Sequence, residues 1–385
     1  MKPAKRCEKM TPFIVMDILE KIHQMEAKGI DVIHMEIGEP DFPVPQCVNQ
    51  ASVDALAQNQ TSYTHSLGDI RLREAICDYH QKIYGVQVDP GQVLVTSGTS
   101  PAMLLAFSAL VDPGDEIIIS DPHYACYENF VRYVQGVPVL VPVYEDEGFI
   151  YTPEAIEARI TPRTKAIFIN SPSNPTGTVI PHDRMQDIVE VAQRHGLYII
   201  SDEIYHGLTY EGRDHCALEY TDQAFVLNGF SKLFAMTGLR LGYLIAPKPF
   251  IRSLQVLQQN FFICANSVVQ LAGVAALGDA AAETEEMRRI YNERRCFMVK
   301  RLREMGLGIK TEPTGAFYVF ANAKHISKDS YSLAFDILEK AHIGVTPGID
   351  FGKNGEGYLR FSYANSMENL AIGMDRMEGY LKAFA

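Results

Sequence analysis

Between about residues 90 and 250 the chain alternates short apolar runs with longer segments whose apolar residues return every three or four positions. The runs are Val93-Leu-Val-Thr, Glu116-Ile-Ile-Ile, Val137-Pro-Val-Leu-Val, Ala166-Ile-Phe-Ile, Tyr198-Ile-Ile, Phe225-Val-Leu and Leu241-Gly-Tyr-Leu-Ile. They are mostly continuous and rich in β-branched residues, as expected of strands buried on both faces. Helical segments such as 185–195 lie between them, which favours a largely parallel α/β sheet. From about 266 to 306 the pattern is helical and closes on a charged amphipathic stretch, 283–304. Beyond it, Gly315-Ala-Phe-Tyr-Val-Phe, Ile343-Gly-Val-Thr-Pro-Gly and Tyr358-Leu-Arg-Phe-Ser-Tyr read as a few strands flanked by helices. These predict a smaller α/β domain, with the first forty or so residues folded back onto it.

At 385 residues the chain is long enough for two domains, each with its own core. A formal net charge of −12 argues against a nucleic-acid or acidic-membrane partner. An anionic ligand would have to be held by local cations and backbone donors. The seven cysteines are scattered and never spaced as CxxC, which points to reduced thiols in a cytoplasmic protein without a zinc or other metal site. The start, Met-Lys-Pro-Ala-Lys-Arg-Cys-Glu-Lys, carries no apolar signal segment, and no run is long enough to span a membrane. No GxGxxG follows any predicted strand, so a dinucleotide-binding reading loses its main support.

Candidate chemistry collects just after the strands. Thr96 ends one of them and is followed by Ser97-Gly98-Thr99-Ser100 and then Pro101, with Ser100 as expected N-cap of a helix. Backbone N–H groups in such a strand–turn–helix converge on an anion, helped by the helix dipole. Asp202 stands at the C-terminal end of another strand, where ligands collect in open α/β sheets. Lys232 follows the run Ala224-Phe-Val-Leu, and Arg240 lies eight residues beyond it. A lysine there can form an imine with an aldehyde cofactor, and the arginine can hold the cofactor's phosphate. Arg360 sits in an otherwise apolar strand, where a planar fork binding a carboxylate bidentately accounts for it.

Gly229-Phe-Ser-Lys232, Arg240, Asn174-Pro-Thr-Gly177 and Asp202-Glu-Ile-Tyr205 together make the chain resemble a fold type I, class I/II pyridoxal-phosphate-dependent aminotransferase of the aspartate-aminotransferase type. The resemblance runs over nearly the whole length. It implies a large domain with a mostly parallel seven-stranded sheet, residues 46–280, and a small C-terminal α/β domain, residues 281–385. Residues 1–45 become an N-terminal arm and part of the small domain, and the boundary falls inside a continuous helix. It also implies an internal aldimine at Lys232, with the freed amine later moving the substrate α-proton. Asp202 would keep the pyridine nitrogen protonated, and Tyr205 and Asn174 would hydrogen-bond the ring oxygen. Tyr124 would stack on the ring. Gly98, Thr99 and Ser100 would cradle the phosphate with Arg240. Relatives often carry a phosphate-donating serine at the position of Gly229, so Ser231 is the expected hydroxyl here. Arg360 would clamp the α-carboxylate beside Asn174 and a backbone donor at Gly38. Tyr63 would reach a neighbouring subunit's phosphate, with Asn266-Ser267 in a similar bridging position, in a homodimer with shared active sites.

The substrates implied are an L-amino acid and a 2-oxo acid. Carbon–sulfur lyases share the lysine and aspartate, but tend to carry histidine before Asn-Pro and an aromatic after the glycine. Ser173 and Thr178-Val179-Ile180 stand there instead and favour transamination. A cofactor-sensing, non-enzymatic relative would not need Lys232. Aspartate-preferring relatives can hold lysine in the phosphate turn, where Ser100 and Pro101 stand, and Phe13, Ile14 and Val15 lie in the segment expected near the site. The donor expected is therefore neutral or apolar.

Overall fold

The computed structural model describes residues 2–8 and 10–383. Seven strands form one sheet: β1 (Val93–Thr96), β2 (Glu116–Asp121), β3 (Val137–Pro142), β4 (Thr164–Asn170), β5 (Tyr198–Asp202), β6 (Ala224–Gly229) and β7 (Gly242–Ile245). The order is β1-β7-β6-β5-β4-β2-β3, parallel throughout except that β7 runs antiparallel to both neighbours. Every apolar run expected to be a strand is one. The reason is visible in how neighbouring residues part: Ile167 and Ile169 enter the core on one face, Ala166 and Phe168 the core on the other. A strand covered on both sides has no wet face, hence no polar alternation.

Helices cover both faces. One of them, α1 (His182–His195), buries Met185, Ile188, Val189 and Ala192, a stripe at helical spacing, and stops at Gly196, whose φ of 64° ends the helix in the left-handed region.

A third core lies apart from these two. It is built on a three-stranded antiparallel sheet of β8 (Tyr318–Asn322), β9 (Thr346–Pro347) and β10 (Tyr358–Ser362), with β10 in the centre. Ile18, Ile22 and Ile33 from the N-terminal segment enter that core, and Ile33–His34 pairs in parallel with Ile343–Gly344. The helical stretch between 266 and 306 differs from the continuous helix expected. It consists of two helices, Ser267–Asp279 and Ala281–Glu304, which meet at Ala280.

Candidate active site

The parallel strands bring their C-terminal ends to one line. Asn170 is paired with Asp202 across β4 and β5, and Gly229 with Gly242 across β6 and β7. Residues a few positions beyond these ends therefore meet, although Asn174 and Lys232, for example, stand far apart in sequence. A cavity of about 410 Å³ opens there, lined among others by Gly38, Thr99, Ser100, Tyr124, Asn174, Asp202, Tyr205, Ser231, Lys232, Arg240 and Arg360. All eleven were expected from sequence, and Gly98 abuts Arg240 at the rim.

The phosphate turn differs in one detail. The helix after β1 is Thr99–Leu110, so its N-cap is Gly98 and Ser100 lies inside the first turn. Gly98 has φ 98°, a conformation that a side chain at this position would strain. A β-carbon built there would also lie 2.6 Å from Arg240 Nη2. No side chain caps this helix. Its first N–H groups, next to the Arg240 guanidinium, form a cradle for a doubly charged anion. Gly229 has no room for the serine of relatives, because a β-carbon there would lie 2.9 Å from the Leu241 carbonyl oxygen. Ser231 lines the cavity and can supply that hydroxyl from the turn that follows β6.

Lys232 Nζ donates to the Gly38 carbonyl at 2.5 Å. Gly38 thus presents its carbonyl, where a backbone donor was expected. Burial lowers the Lys232 pKa to about 8, with Arg360 and Arg240 adding to the effect and Glu39 opposing it. Asp202 is raised to about 6 by burial, against the hydrogen bonds from Tyr127 and the Ile204 amide that favour its charged form. A cation placed against this carboxylate would restore its ionisation. Tyr205 Oη bonds Tyr318 Oη at 2.8 Å. Tyr124 stands edge-on to Phe13 and Tyr127, with centroids 5.7 and 5.3 Å away.

Arg360 is buried. Nη1 donates to Asn174 Oδ1 at 2.9 Å, and Nη2 donates to Thr346 Oγ1 at 3.1 Å and to the Glu36 carbonyl. Nε is buried without a partner. The guanidinium lies 4.4 Å from the Tyr318 ring centre and 4.9 Å from that of Phe351.

Some contacts were invisible in sequence. Asn170 ties the site together: its Nδ2 donates to the Asp202 carbonyl at 2.9 Å, and its Oδ1 accepts from the Asn174 amide at 2.8 Å. Tyr127 donates to Asp202, and Tyr318 meets both Tyr205 and Arg360. Tyr127 opens a helix three residues after the loop residue Tyr124, near enough along the chain for a search around Tyr124 to have caught it. Tyr63 is not in the cavity. It is 80% exposed and lines a separate surface hollow together with Ser267. Asn266 caps the helix that follows it, accepting from the Val269 amide at 3.1 Å.

The profile of the family described as Aminotransferase class I and II matches residues 30–377. The chain belongs to that family.

Its relatives differ in what they act on. It is 39% identical over 382 residues to a (5-formylfuran-3-yl)methyl phosphate transaminase of Methanocaldococcus jannaschii, covering 98% of this chain and 99% of that one. It is 38% identical over 373 residues to an aspartate aminotransferase of Pyrococcus horikoshii, covering 96% and 94%. Among solved structures, aspartate aminotransferase from Thermus thermophilus with maleate superposes with a TM-score of 0.94 at 35% identity, over 98% and 99% of the two chains. The fold is accordingly that of the aspartate aminotransferases, and the chain is a pyridoxal-phosphate-dependent aminotransferase.

The residues present fit that cofactor. The uncapped helix start, Gly98 and Arg240 suit its phosphate; Lys232 suits its aldehyde; Asp202 suits its ring nitrogen; the unpartnered Arg360 Nε suits an incoming carboxylate.

Proposed function

We propose that this aminotransferase takes the amino group of an L-amino acid with a neutral or apolar side chain and passes it to a 2-oxo acid, with Lys232 as both covalent carrier and proton-transfer group. The observation that carries the proposal is the convergence of Lys232, Asp202 and Arg360 in one cavity whose wall also carries the apolar Phe13, Val15, Met16 and Leu19 beside the carboxylates Glu36 and Glu39. Bound pyridoxal phosphate supplies an electron sink for the charge left when the substrate α-proton departs. Arg360 binds the substrate α-carboxylate and so presents the α-carbon to Lys232. Burial lowers Lys232 to about 8, close to the range where a base works well, so its amine would be suited to move the substrate α-proton. Lying beside the other site groups in the cavity, Lys232 Nζ would take the α-proton and hold it for return. Asp202 would hold positive charge on the ring nitrogen, and Asn174, fixed through Oδ1 by Arg360, would have Nδ2 free to offer to the ring oxygen.

The donor preference is supported by Phe13, Val15, Met16 and Leu19, which line the cavity, and by its cations being Lys232, Arg240 and Arg360 among the described residues, each with a role above. A second substrate carboxylate would lack a partner, and an unpaired buried charge costs several kcal/mol, of order ~3 or more. Alanine, leucine and phenylalanine are expected to exceed aspartate in kcat/KM by about tenfold or more. A tenfold preference for aspartate, about 1.4 kcal/mol in the transition state, would overturn the preference.

We also propose that the sites are completed across a homodimer by Tyr63, and that residues 46–280 and 281–385 act as the two domains. The exposure of Tyr63 beside Ser267, outside the cavity of its own chain, supports the first of these. Mixing Tyr63→Phe with Lys232→Ala chains then gives hybrids with one intact composite site, and activity per intact Lys232 rises above that of the Tyr63→Phe parent. Unchanged activity on mixing, with hybrid formation verified by native mass spectrometry, would mean that Tyr63 acts within its own chain or not at all.

A further inference from the structure

Asp202 is held in an unusual way for a carboxylate that must stay charged. It is buried, and among the described residues no cation lies within ion-pairing distance of it. Its oxygens are addressed by two donors: the Ile204 amide at 3.2 Å from Oδ1 and the Tyr127 hydroxyl at 2.7 Å from Oδ2. Glu203 and His206 face each other next to it, 3.4 Å apart. Tyr127 is itself buried. Its ring centre lies 4.3 Å from that of Phe168 and 5.3 Å from that of Tyr124. Its amide donates to the Tyr124 carbonyl at 3.0 Å, so one turn of chain fixes both tyrosines. The phenol therefore has little freedom to turn away from Asp202.

A carboxylate facing a pyridine nitrogen shares one proton with it, and the proton rests on whichever partner is the weaker acid in place. A hydroxyl donating to the carboxylate stabilises the ionised carboxylate more than the neutral acid, because hydrogen bonds to charged acceptors are the stronger ones. Burial keeps the Tyr127 phenol far above its usual pKa, so it stays a donor.

We propose that Tyr127 is a positioning residue of the electron-sink half of this site: by donating to Asp202 Oδ2 it holds the carboxylate ionised and oriented, and so places the shared proton on the cofactor's ring nitrogen. The proposal rests on the reading of Asp202 given above and adds to it the group that sets the proton's position. No bond is made or broken at Tyr127. The phenol keeps its own proton, and the shared proton moves only between Asp202 and the ring.

The test is the nitrogen-15 NMR shift of the ring nitrogen in holoenzyme loaded with labelled pyridoxal phosphate, compared among wild type, Tyr127→Phe and Asp202→Asn. Wild type is expected in the pyridinium range. Tyr127→Phe keeps the ring packed on Phe168 but removes the donor, and its signal is expected to move toward neutral pyridine. The first half-reaction should slow roughly 10- to 100-fold with KM for the amino donor little changed. Asp202→Asn should move the signal fully. A Tyr127→Phe signal that stays with wild type while Asp202→Asn moves overturns the inference and leaves the Asp202 reading intact. Signals that stay pyridinium in all three overturn the Asp202 reading itself. Should Tyr127→Phe not fold, 4-aminophenylalanine at position 127, a weaker donor of nearly the same shape, is expected to move the signal part of the way toward neutral pyridine, and no displacement would overturn the inference.

Discussion

Lys232→Ala holoenzyme is expected to lose turnover by about 10⁴-fold or more, since it removes the covalent attachment and the group that moves the α-proton together. Among the described residues the cavity is lined by no second lysine that might substitute. Cofactor binding should persist more weakly through Arg240 and the helix start at Thr99. Single-turnover absorbance after rapid mixing with amino acid would measure the loss, and borohydride reduction followed by peptide mass analysis would locate the attachment. Near-normal turnover, or label on another lysine, would refute the role. Folding gives an independent check on sign. An ammonium with a pKa of about 8 in the fold and about 10.4 when unfolded binds more protons in the unfolded chain between those values. Its burial therefore weighs against the cofactor-free fold most fully below pH 8, and the weight lifts as pH rises through that window. Cofactor-free Lys232→Ala should melt no lower than cofactor-free wild type at pH 7, so lost turnover would not be lost structure.

Arg360→Ala is expected to lower kcat/KM for the amino donor by about 10²- to 10³-fold, the effect of deleting one partner of a desolvated charge pair. The contacts of Arg360 in the fold are to neutral acceptors: Asn174, Thr346 and the Glu36 carbonyl. A buried guanidinium flanked by the Tyr318 and Phe351 rings, with Nε unpartnered, is short of an anion. The substrate α-carboxylate supplies one. Arg360→Lys should recover only a small part of the loss, because a point charge cannot reproduce the fork or the stacking on both rings. If Arg360→Ala stays within about threefold of wild type in kcat/KM, the arginine is a structural group and the carboxylate is held elsewhere.

Residues such as Asp202, Lys232 and Arg240 were legible because their chemistry depends on local sequence. Asp202 ends one apolar strand, Lys232 follows the end of the next and Arg240 precedes the strand after that, and the strand ends are where a parallel sheet gathers its ligands. Arg360 was legible for the opposite reason, as a charge where the strand pattern calls for an apolar residue. Ser100 was placed two positions too late as the N-cap because Ser before Pro is a strong local signal. The fold instead begins the helix at Thr99, with Gly98 as cap pressed against Arg240. Tyr127 and Asn170 escaped for lack of any signature: a tyrosine in a short helix and an asparagine ending a strand are ordinary until Asp202 is seen beside them.

By itself, then, the sequence determined the sheet, its two-sided burial and most of the charged groups that line the cavity, because apolar periodicity and position near a strand end are properties of neighbours along the chain. The tertiary structure decided how those groups act on one another. It lowered Lys232 to about 8 and raised Asp202 to about 6, since desolvation depends on what surrounds a side chain in space. It turned the Gly38 carbonyl toward Lys232, set Asn174 against Arg360 across 186 positions of sequence, and left Tyr63 outside the cavity of its own chain. Those are distances between segments remote along the chain, and they exist only once long-range packing has closed the loops between them.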